Sequence, residues 1–217
     1  MIGPLFDPGW VADNLSGLAS KTWEHVVLTL IAVILGFLLS FPLGVYAYRH
    51  RHAYPPIAAG TGFLYTIPSV ALFAFLVPFT GLSRTTAEVG LVSYTLLILI
   101  RNVVAGLDGV PEDAREAAKG MGYTARQLLW RVELPLALPV ILAGVRIATV
   151  TTIGLVTVTA LIGQGGLGFY ILQGLNRLYT TSVIAGAALS VALAVVADRL
   201  LIATERRLTP WTVKRAR

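Results

Sequence analysis

Residues 111–135 read PEDAREAAKGMGYTARQLLWRVELP and lie in the longest polar connection of the chain, 108–135. Pro111 with two acidic residues after it predicts the start of a helix, and the glycines at 120 and 122 predict its end. The stretch from Thr124 to Gln127 has the spacing of a capping box, which predicts a second helix that Pro135 closes. Connections between packed helices are usually about 2–8 residues long, so this one is predicted to have a function of its own.

Both predicted helices of this connection have apolar faces. The first carries a stripe of small side chains at helical spacing: Ala114, Ala117, Ala118 and Met121. The second is apolar on two sides, with Ala125, Leu128, Leu129 and Val132 on one and Trp130 and Leu134 on the other. A helix with two apolar faces has two surfaces to bury. One is expected to pack on the chain's own helices, and the other either packs there too or binds a partner.

On both sides of this connection the chain is too apolar for a water-soluble protein. Of its 217 residues, 56% are hydrophobic and 13% are charged, and the mean hydropathy is +0.76. Soluble domains have about 25% charged residues, so a soluble enzyme, a nucleic-acid-binding protein and a disordered chain are all disfavoured. The sequence has no cysteine, and its three histidines lack the spacing of a metal site. We therefore expect no metal site.

A helix needs about 20 mostly apolar residues to cross a bilayer. Five stretches meet this length: Val26–Tyr46, Ile57–Phe79, Ala87–Leu107, Leu136–Ile162 and Thr181–Thr204. The sequence therefore predicts an all-α integral membrane protein with five spans and a membrane domain over residues 26–204. Residues 1–25 are predicted to be a leader, either a short interfacial helix or a solvated segment. Residues 205–217 are predicted to be a basic tail.

The basic residues predict how the spans are oriented. With the N-terminus outside, the inner segments hold 13 of the 17 Lys and Arg residues, the outer segments hold three, and Arg146 lies within a span. Loops on the cytoplasmic side are enriched in Lys and Arg. The N-terminus is thus predicted to lie outside and the C-terminus inside. The net charge of +6 is explained by this bias and needs no nucleic-acid partner.

Two residue patterns resemble a known family. Glu116-Ala117-Ala118, Gly122 three residues further on, and Val132-Glu133-Leu134-Pro135 after nine more resemble the EAA loop of ABC-importer permeases. The family pattern has Ile where this chain has Val132. Three further segments, 66–73, 144–146 and 162–168, resemble the branch that imports the osmoprotectants glycine betaine, choline and carnitine.

The resemblance implies a MetI-like type I permease fold in the prokaryotic cytoplasmic (inner) membrane, with 108–135 as the coupling loop. It implies that a separate ATP-binding subunit contacts Glu116, Ala117, Ala118, Gly122, Tyr123, Leu134 and Pro135. It also implies a second permease copy or paralogue and an extracytoplasmic solute-binding protein. The chain would be a transport subunit and not an enzyme, without a cofactor of its own, because ATP and Mg²⁺ would bind the partner subunit.

Two alternatives to this interpretation remain. The permease could carry methionine or another small solute. In a different class, the chain could be a channel or scaffold subunit that works without an ATPase. That second alternative leaves the EAA spacing as a coincidence.

Candidate pathway residues lie outside the coupling loop. They are Tyr65, Pro68 and Ser69 in the second span and Gly163, Gln164, Gly165 and Gly168 after the fourth. The glycines satisfy the dinucleotide-binding pattern, but a membrane span precedes them where that pattern requires a strand. They form either an external re-entrant turn, which lines the pathway or contacts a binding protein, or a simple tight turn. Tyr65, with Phe63, Phe73 and Tyr94, would either cage a quaternary ammonium ion or pack in the bundle.

Arg146 is a charged residue inside a predicted span, which is costly and by default suggests a function. It is expected either to form a structural ion pair with Asp108 or Glu133 or to contact cargo. Small residues also recur every four positions in the first and fifth spans: Gly36, Ser40, Gly44, and Ser182, Gly186, Ser190, Ala194. These stripes predict close helix packing, either within one bundle or across a dimer.

Overall fold

A computed structural model describes residues 5–213, and within that range the chain is almost entirely helical and has no strand. Its α-helices are α1 (Pro8–Asp13), α2 (Leu15–Arg49), α3 (Tyr54–Thr66), α4 (Ser69–Thr80), α5 (Arg84–Asp108), α6 (Glu112–Gly120), α7 (Ala125–Leu128), α8 (Leu134–Val158), α9 (Gly168–Arg177), α10 (Thr180–Leu208) and α11 (Pro210–Val213). A π-helical turn, Leu129–Glu133, joins α7 to α8, and a 3-10 turn, Thr159–Ile162, follows α8.

Four helical segments are long and apolar enough to cross a membrane: Leu15–Arg49, Arg84–Asp108, Ala125–Ile162 and Thr180–Leu208. A fifth crossing is formed if the pair Arg51–Thr66 and Ser69–Thr80 is taken as one span, because these two segments meet at 94°. The prediction of an all-α membrane protein is confirmed. The second predicted span, Ile57–Phe79, is broken near its middle and is not one straight helix.

The break in the second span has a local cause. Ile67 has an extended backbone (ψ 128°), and Pro68 after it has ψ 132°. Proline disfavours the helical conformation of the residue before it, and it has no N–H to donate. The hydroxyl of Tyr94 on α5 donates a hydrogen bond to the carbonyl of Ile67. This bond satisfies a carbonyl that the broken helix leaves free.

The first and last long helices extend past the predicted boundaries. α2 begins at Leu15 and runs through residue 25 without interruption, because the predicted leader contains no proline after α1 and its Leu18 is buried against Tyr170. The leader, expected to be a short interfacial helix or a solvated segment, is therefore divided between α1 and the start of α2. α10 continues to Leu208, past the predicted start of the tail. Residues 214–217 of that tail lie outside the described residues.

The prediction that Pro135 closes the second loop helix is wrong. α7, the π turn and α8 form one continuous helix, and Pro135 lies inside it. The proline ring would collide with the carbonyl four residues earlier in a regular helix. The π turn widens the helix at this point, where the Leu134 N–H donates to the carbonyl of Leu129, five residues earlier.

The π turn also changes which side chains share a face. Leu129 and Leu134 pack in the same apolar cluster with Val103, Leu107 and Ile141. The prediction that Leu134 points away from Leu129 is therefore wrong, because the wider turn brings residues five apart into line. Trp130 does point away, and 57% of its surface is exposed.

The two small-residue stripes pack within this chain. A Cβ at Gly36 would lie 1.9 Å from the Thr95 hydroxyl oxygen, and a Cβ at Gly44 would lie 2.6 Å from Val103 Cγ1, so these glycines allow α2 to approach α5 closely. On α10, Ser182 and Gly186 of the stripe face α9: the Ser182 hydroxyl donates to the Tyr170 carbonyl over 2.8 Å, and a Cβ at Gly186 would lie 3.0 Å from Ile171 Cγ1.

Candidate functional site

The candidate site is α6 together with the turns that connect it to the bundle. It lies where α2 and α5 end and the α7–α8 helix begins. Arg49, the last residue of α2, donates to the carbonyl of Ala125 over 3.1 Å, and Arg51 donates to Asp108 at the end of α5 over 3.0 Å. These contacts place three long helices beside α6. We call this end of the bundle the α6 end.

The sequence determines where α6 starts and stops. Pro111 is the N-cap residue, and Glu112 and Asp113 occupy the first turn, where the helix dipole favours negative charge. At the other end the N–H of Tyr123 donates to Ala118 and the N–H of Gly122 donates to Lys119, which is a Schellman motif. Gly122 has φ +79°, a conformation that favours glycine. The glycine of the EAA pattern is therefore explained by the backbone conformation that ends α6.

The next helix begins with the predicted capping box. The backbone N–H of Gln127 donates to the Thr124 hydroxyl over 3.3 Å, and the Thr124 N–H donates to the Gln127 side chain over 2.9 Å. The capping box is confirmed. It turns the chain back toward the bundle directly after α6.

The stripe predicted on α6 is divided between two surroundings. Ala118 is buried against the chain itself, whereas Ala117 is exposed and 66% of the Met121 surface is exposed. Three further residues of α6, at helical spacing from Ala117 and Met121, are also exposed: Asp113, Glu116 and Gly120. We call Asp113, Glu116, Ala117, Gly120 and Met121 the outer face of α6.

The seven predicted coupling residues do not all lie on that surface. Glu116, Ala117 and Gly122 are exposed, Tyr123, Leu134 and Pro135 are half-buried, and Ala118 faces inward. Met121 lies on the outer face although it was not among the seven. Its place in the stripe of small residues was the signal for it in the sequence.

A buried ion pair holds α6 against the bundle. The Arg115 Nε donates to Glu133 Oε1 over 3.1 Å, and the Tyr48 hydroxyl donates to the same oxygen over 2.8 Å. Arg115 also donates to the carbonyl of Leu107, at the end of α5, over 2.6 Å. The side chains of Arg115 and Glu133 are 13% and 7% exposed. We call Arg115, Glu133 and Tyr48 the α6 anchor.

The anchor continues into the first turn of α6. The Arg115 Nη1 lies 2.9 Å from Glu112 Oε2, and its donated hydrogen bond lowers the pKa of the exposed Glu112 carboxyl. Sequence reasoning missed Arg115 and Tyr48, because their partners lie on other elements. Glu133 could have been singled out from the sequence, because it is an acidic residue between apolar neighbours and close to Pro135.

The glycine-rich turn lies at the opposite end of α8 from the anchor. Gly163, Gly165 and Gly166 all have positive φ, and Gln164 between them is half-buried. Glu24 of α2 accepts a hydrogen bond from the Gly166 N–H over 3.1 Å. The turn is closely packed, since a Cβ at Gly165 would lie 2.4 Å from the Ala160 nitrogen. Gly168 begins α9.

The aromatic candidates are dispersed. Tyr65 and Tyr94 make an edge-to-face contact with their ring centroids 5.9 Å apart. Phe73 is fully buried in the core, whereas 69% of Phe63 is exposed. Tyr65 lies just before the break between α3 and α4, with Pro68 exposed at the break and Ser69 half-buried at the start of α4.

The expected partners of Arg146 are wrong. Its Nε lies 3.3 Å from Asp198 Oδ1, and its Nη1 lies 3.8 Å from Glu205 Oε2, both on α10. Asp108 pairs with Arg51, and Glu133 pairs with Arg115. The prediction considered only carboxylates near Arg146 in the preceding loop, but α10 is the helix that packs beside this part of α8.

These features define an all-α membrane protein with a short helix anchored at one end of its bundle. Residues 32–210 match the family described as "Binding-protein-dependent transport system inner membrane component", and the chain belongs to that family.

Several relatives match over nearly their full length. The choline transport system permease protein OpuBB of Bacillus subtilis (strain 168) is 42% identical over 206 residues, 95% of each chain. The osmoprotectant import permease protein OsmW of Salmonella typhimurium is 39% identical over 94% of this chain and 98% of its own. Among solved structures, an inward-facing MetNI methionine ABC transporter has a TM-score of 0.77 at 25% identity and covers 87% of this chain and 94% of that one.

Proposed function

We propose that this chain is the permease subunit of an ATP-driven importer for osmoprotectants of the glycine betaine, choline and carnitine class. The observation that carries the proposal is the similarity to permeases of that class, at 42% identity over 95% of both chains for the choline permease. The solved methionine transporter is less similar, at 25% identity. This difference favours a quaternary amine over methionine as cargo.

The outer face of α6 is the proposed binding surface for a separate ATP-binding subunit. It combines small residues, which let another backbone approach closely, with the exposed Met121, whose flexible side chain adapts to a partner surface. ATP and Mg²⁺ would bind that partner, and this chain would supply no catalytic group. The α6 end would then be cytoplasmic. Arg49, Arg51 and the basic residues of 108–135 at this end support that orientation.

Transport requires a change in which side of the membrane the pathway faces. ATP binding in the partner would displace α6, and the displacement would favour one of two arrangements of the bundle. One chain with four or five crossings has too few helices to enclose a path, so a second permease copy or a paralogue completes it. The solute-binding protein would dock at the opposite end, near the glycine-rich turn of residues 163–168. Tyr65, Pro68 and Ser69 mark the broken span as a candidate lining.

The experiment is purification of a tagged chain from its native membrane, identification of its partners by mass spectrometry, and reconstitution of the complex in liposomes. Labelled choline, glycine betaine, carnitine and methionine are then tested for ATP-dependent uptake with the solute-binding protein. We expect an ATP-binding subunit to co-purify and the quaternary amines to be taken up. Uptake of methionine alone would contradict the proposed cargo. A chain that purifies alone, with solute flux that does not need ATP, would indicate a channel or scaffold instead.

A further inference from the structure

We infer that Arg115, Glu133 and Tyr48 are positioning residues that pass a displacement of α6 to three membrane helices. This inference rests on the proposed function, because a partner that moves α6 is needed for the anchor to act. The anchor residues do not belong to the outer face of α6. Their role would be to connect that face to the bundle.

α6 has little other attachment to the bundle through its side chains. Within Glu112–Gly120, Ala118 is the residue that is fully buried. With the half-buried Ala114 it supplies two methyl groups, which bury too little apolar surface to hold a nine-residue helix in one orientation by themselves. Arg115 adds hydrogen bonds in defined directions. The side chain of Arg115 is therefore the main directional link between α6 and the rest of the chain.

That link reaches three elements at once. Arg115 contacts the last turn of α5 through the Leu107 carbonyl and the α7–α8 helix through Glu133. Glu133 in turn accepts from Tyr48, near the end of α2. A displacement of α6 therefore acts on the ends of α2, α5 and α8 together.

The position of Glu133 suits this role. It is the last residue of the π turn, and the helix continues from it without a break to the 3-10 turn at the far end. π turns inside α-helices occur often at functional sites. A movement at Glu133 therefore acts directly on the start of α8, with no loop between them.

The chemistry makes the anchor specific. A carboxylate that is 7% exposed needs its partners, because an unpaired buried charge is strongly unfavourable. The planar guanidinium of Arg115 donates in several directions at once, to Glu133, Glu112 and Leu107. Lysine has one compact ammonium group and does not reproduce this geometry.

The test uses the complete reconstituted transporter and measures the solute taken up per ATP hydrolysed, together with co-purification of the ATP-binding subunit. The variants are Glu133→Gln, Arg115→Lys and Tyr48→Phe. The matched control is Glu88→Gln, the same exchange at another mostly buried carboxylate (12% exposed), which lies on α5 beside Arg84 and away from the α6 end. We expect the anchor variants to keep the ATP-binding subunit and hydrolyse ATP. Solute per ATP should fall roughly tenfold in Glu133→Gln and Arg115→Lys, the effect of losing one charge-assisted hydrogen bond. The control should retain the wild-type ratio.

An unchanged ratio in the anchor variants, with a coupled wild type, would overturn the inference. Loss of assembly and of uptake in equal measure would also overturn it, since that result describes a purely structural pair. If Glu133→Gln fails to insert, Tyr48→Phe decides, because it keeps the ion pair and removes one hydroxyl; a wild-type ratio in that variant overturns the inference. A wild-type chain that binds no ATP-binding subunit would overturn the proposed function as well, and it is recognised before any variant is made.

Discussion

Arg146 on α8 and Asp198 on α10 form an ion pair, with 3.3 Å between the Arg146 Nε and the Asp198 Oδ1. Glu205, two turns further along α10, lies on the same guanidinium at 3.8 Å. The two carboxylates compensate a charge that would otherwise be costly in a membrane helix. α8 and α10 are therefore joined by charge as well as by packing.

The first prediction concerns this pair. Arg146→Leu should lower the free energy of unfolding by about 1 kcal/mol, a modest effect because both side chains are about one-third exposed. Asp198→Asn in the Arg146→Leu background should cost less than Asp198→Asn alone. The measurement is a double-mutant cycle on thermal unfolding in detergent. Arg199→Leu, at the exposed neighbouring position, is the control. Strict additivity of the two substitutions would show that the pair contributes nothing.

The second prediction concerns the close approach of α2 and α5. Gly44→Ala should destabilise the chain by about 1–3 kcal/mol, because the new Cβ would lie 2.6 Å from Val103 Cγ1 and push the helices apart. Gly60→Ala is the matched control, since a Cβ there would have no atom of another helix in the described part of the chain within 4 Å. It should be neutral or slightly stabilising. Equal unfolding temperatures for the two variants would refute the packing assignment.

The third prediction concerns the glycine-rich turn. Gly165→Ala and Gly163→Ala both place a side chain where φ is positive, but only Gly165 lies against other backbone, 2.4 Å from the Ala160 nitrogen. Gly165→Ala should therefore cost about 1–3 kcal/mol more than Gly163→Ala. Thermal unfolding and uptake by the two variants measure this difference. A milder effect at Gly165 would mean that the turn is packed differently.

The fourth prediction concerns the orientation in the membrane. The sequence contains no cysteine, so single cysteines can be introduced and labelled without background. Leu178→Cys, at a position 92% exposed at the opposite end from α6, should react with a membrane-impermeant maleimide in intact cells. Met121→Cys should react only after the membrane is opened. The reverse pattern would invert the proposed topology.

Local sequence signals were sufficient for part of the fold. The spans follow from apolar length, and the capping box at Thr124 and Gln127 follows from spacing within one turn. The prolines were a weaker signal of where helices end. Pro42, Pro78 and Pro139 all remain inside helices, whereas the helix breaks at Pro68. At Pro68 the carbonyl of Ile67, which the break leaves free, accepts a hydrogen bond from the hydroxyl of Tyr94 on another helix, and that position is a property of the tertiary structure.

The ion pairs show the same limit. Sequence reasoning identified Arg146 as a charge that needs a partner, but Asp198 is 52 residues away and is brought near only by the packing of α10 on α8. The α6 anchor joins residues from three elements, with Tyr48 and Glu133 separated by 85 positions. Such contacts have no periodicity in the sequence. The coupling stretch could be located from its motif, whereas the way in which it is held required the fold.

The most direct test of the central claim is site-specific photocrosslinking from position 121 in the native membrane. A photoreactive amino acid replaces Met121 on the outer face of α6, and the same group at Leu178 at the opposite end is the control. We expect a crosslink from position 121 to an ATP-binding subunit and none to that subunit from position 178. An ATP-binding subunit that co-purifies with the chain but crosslinks from position 178 and not from position 121 would contradict it.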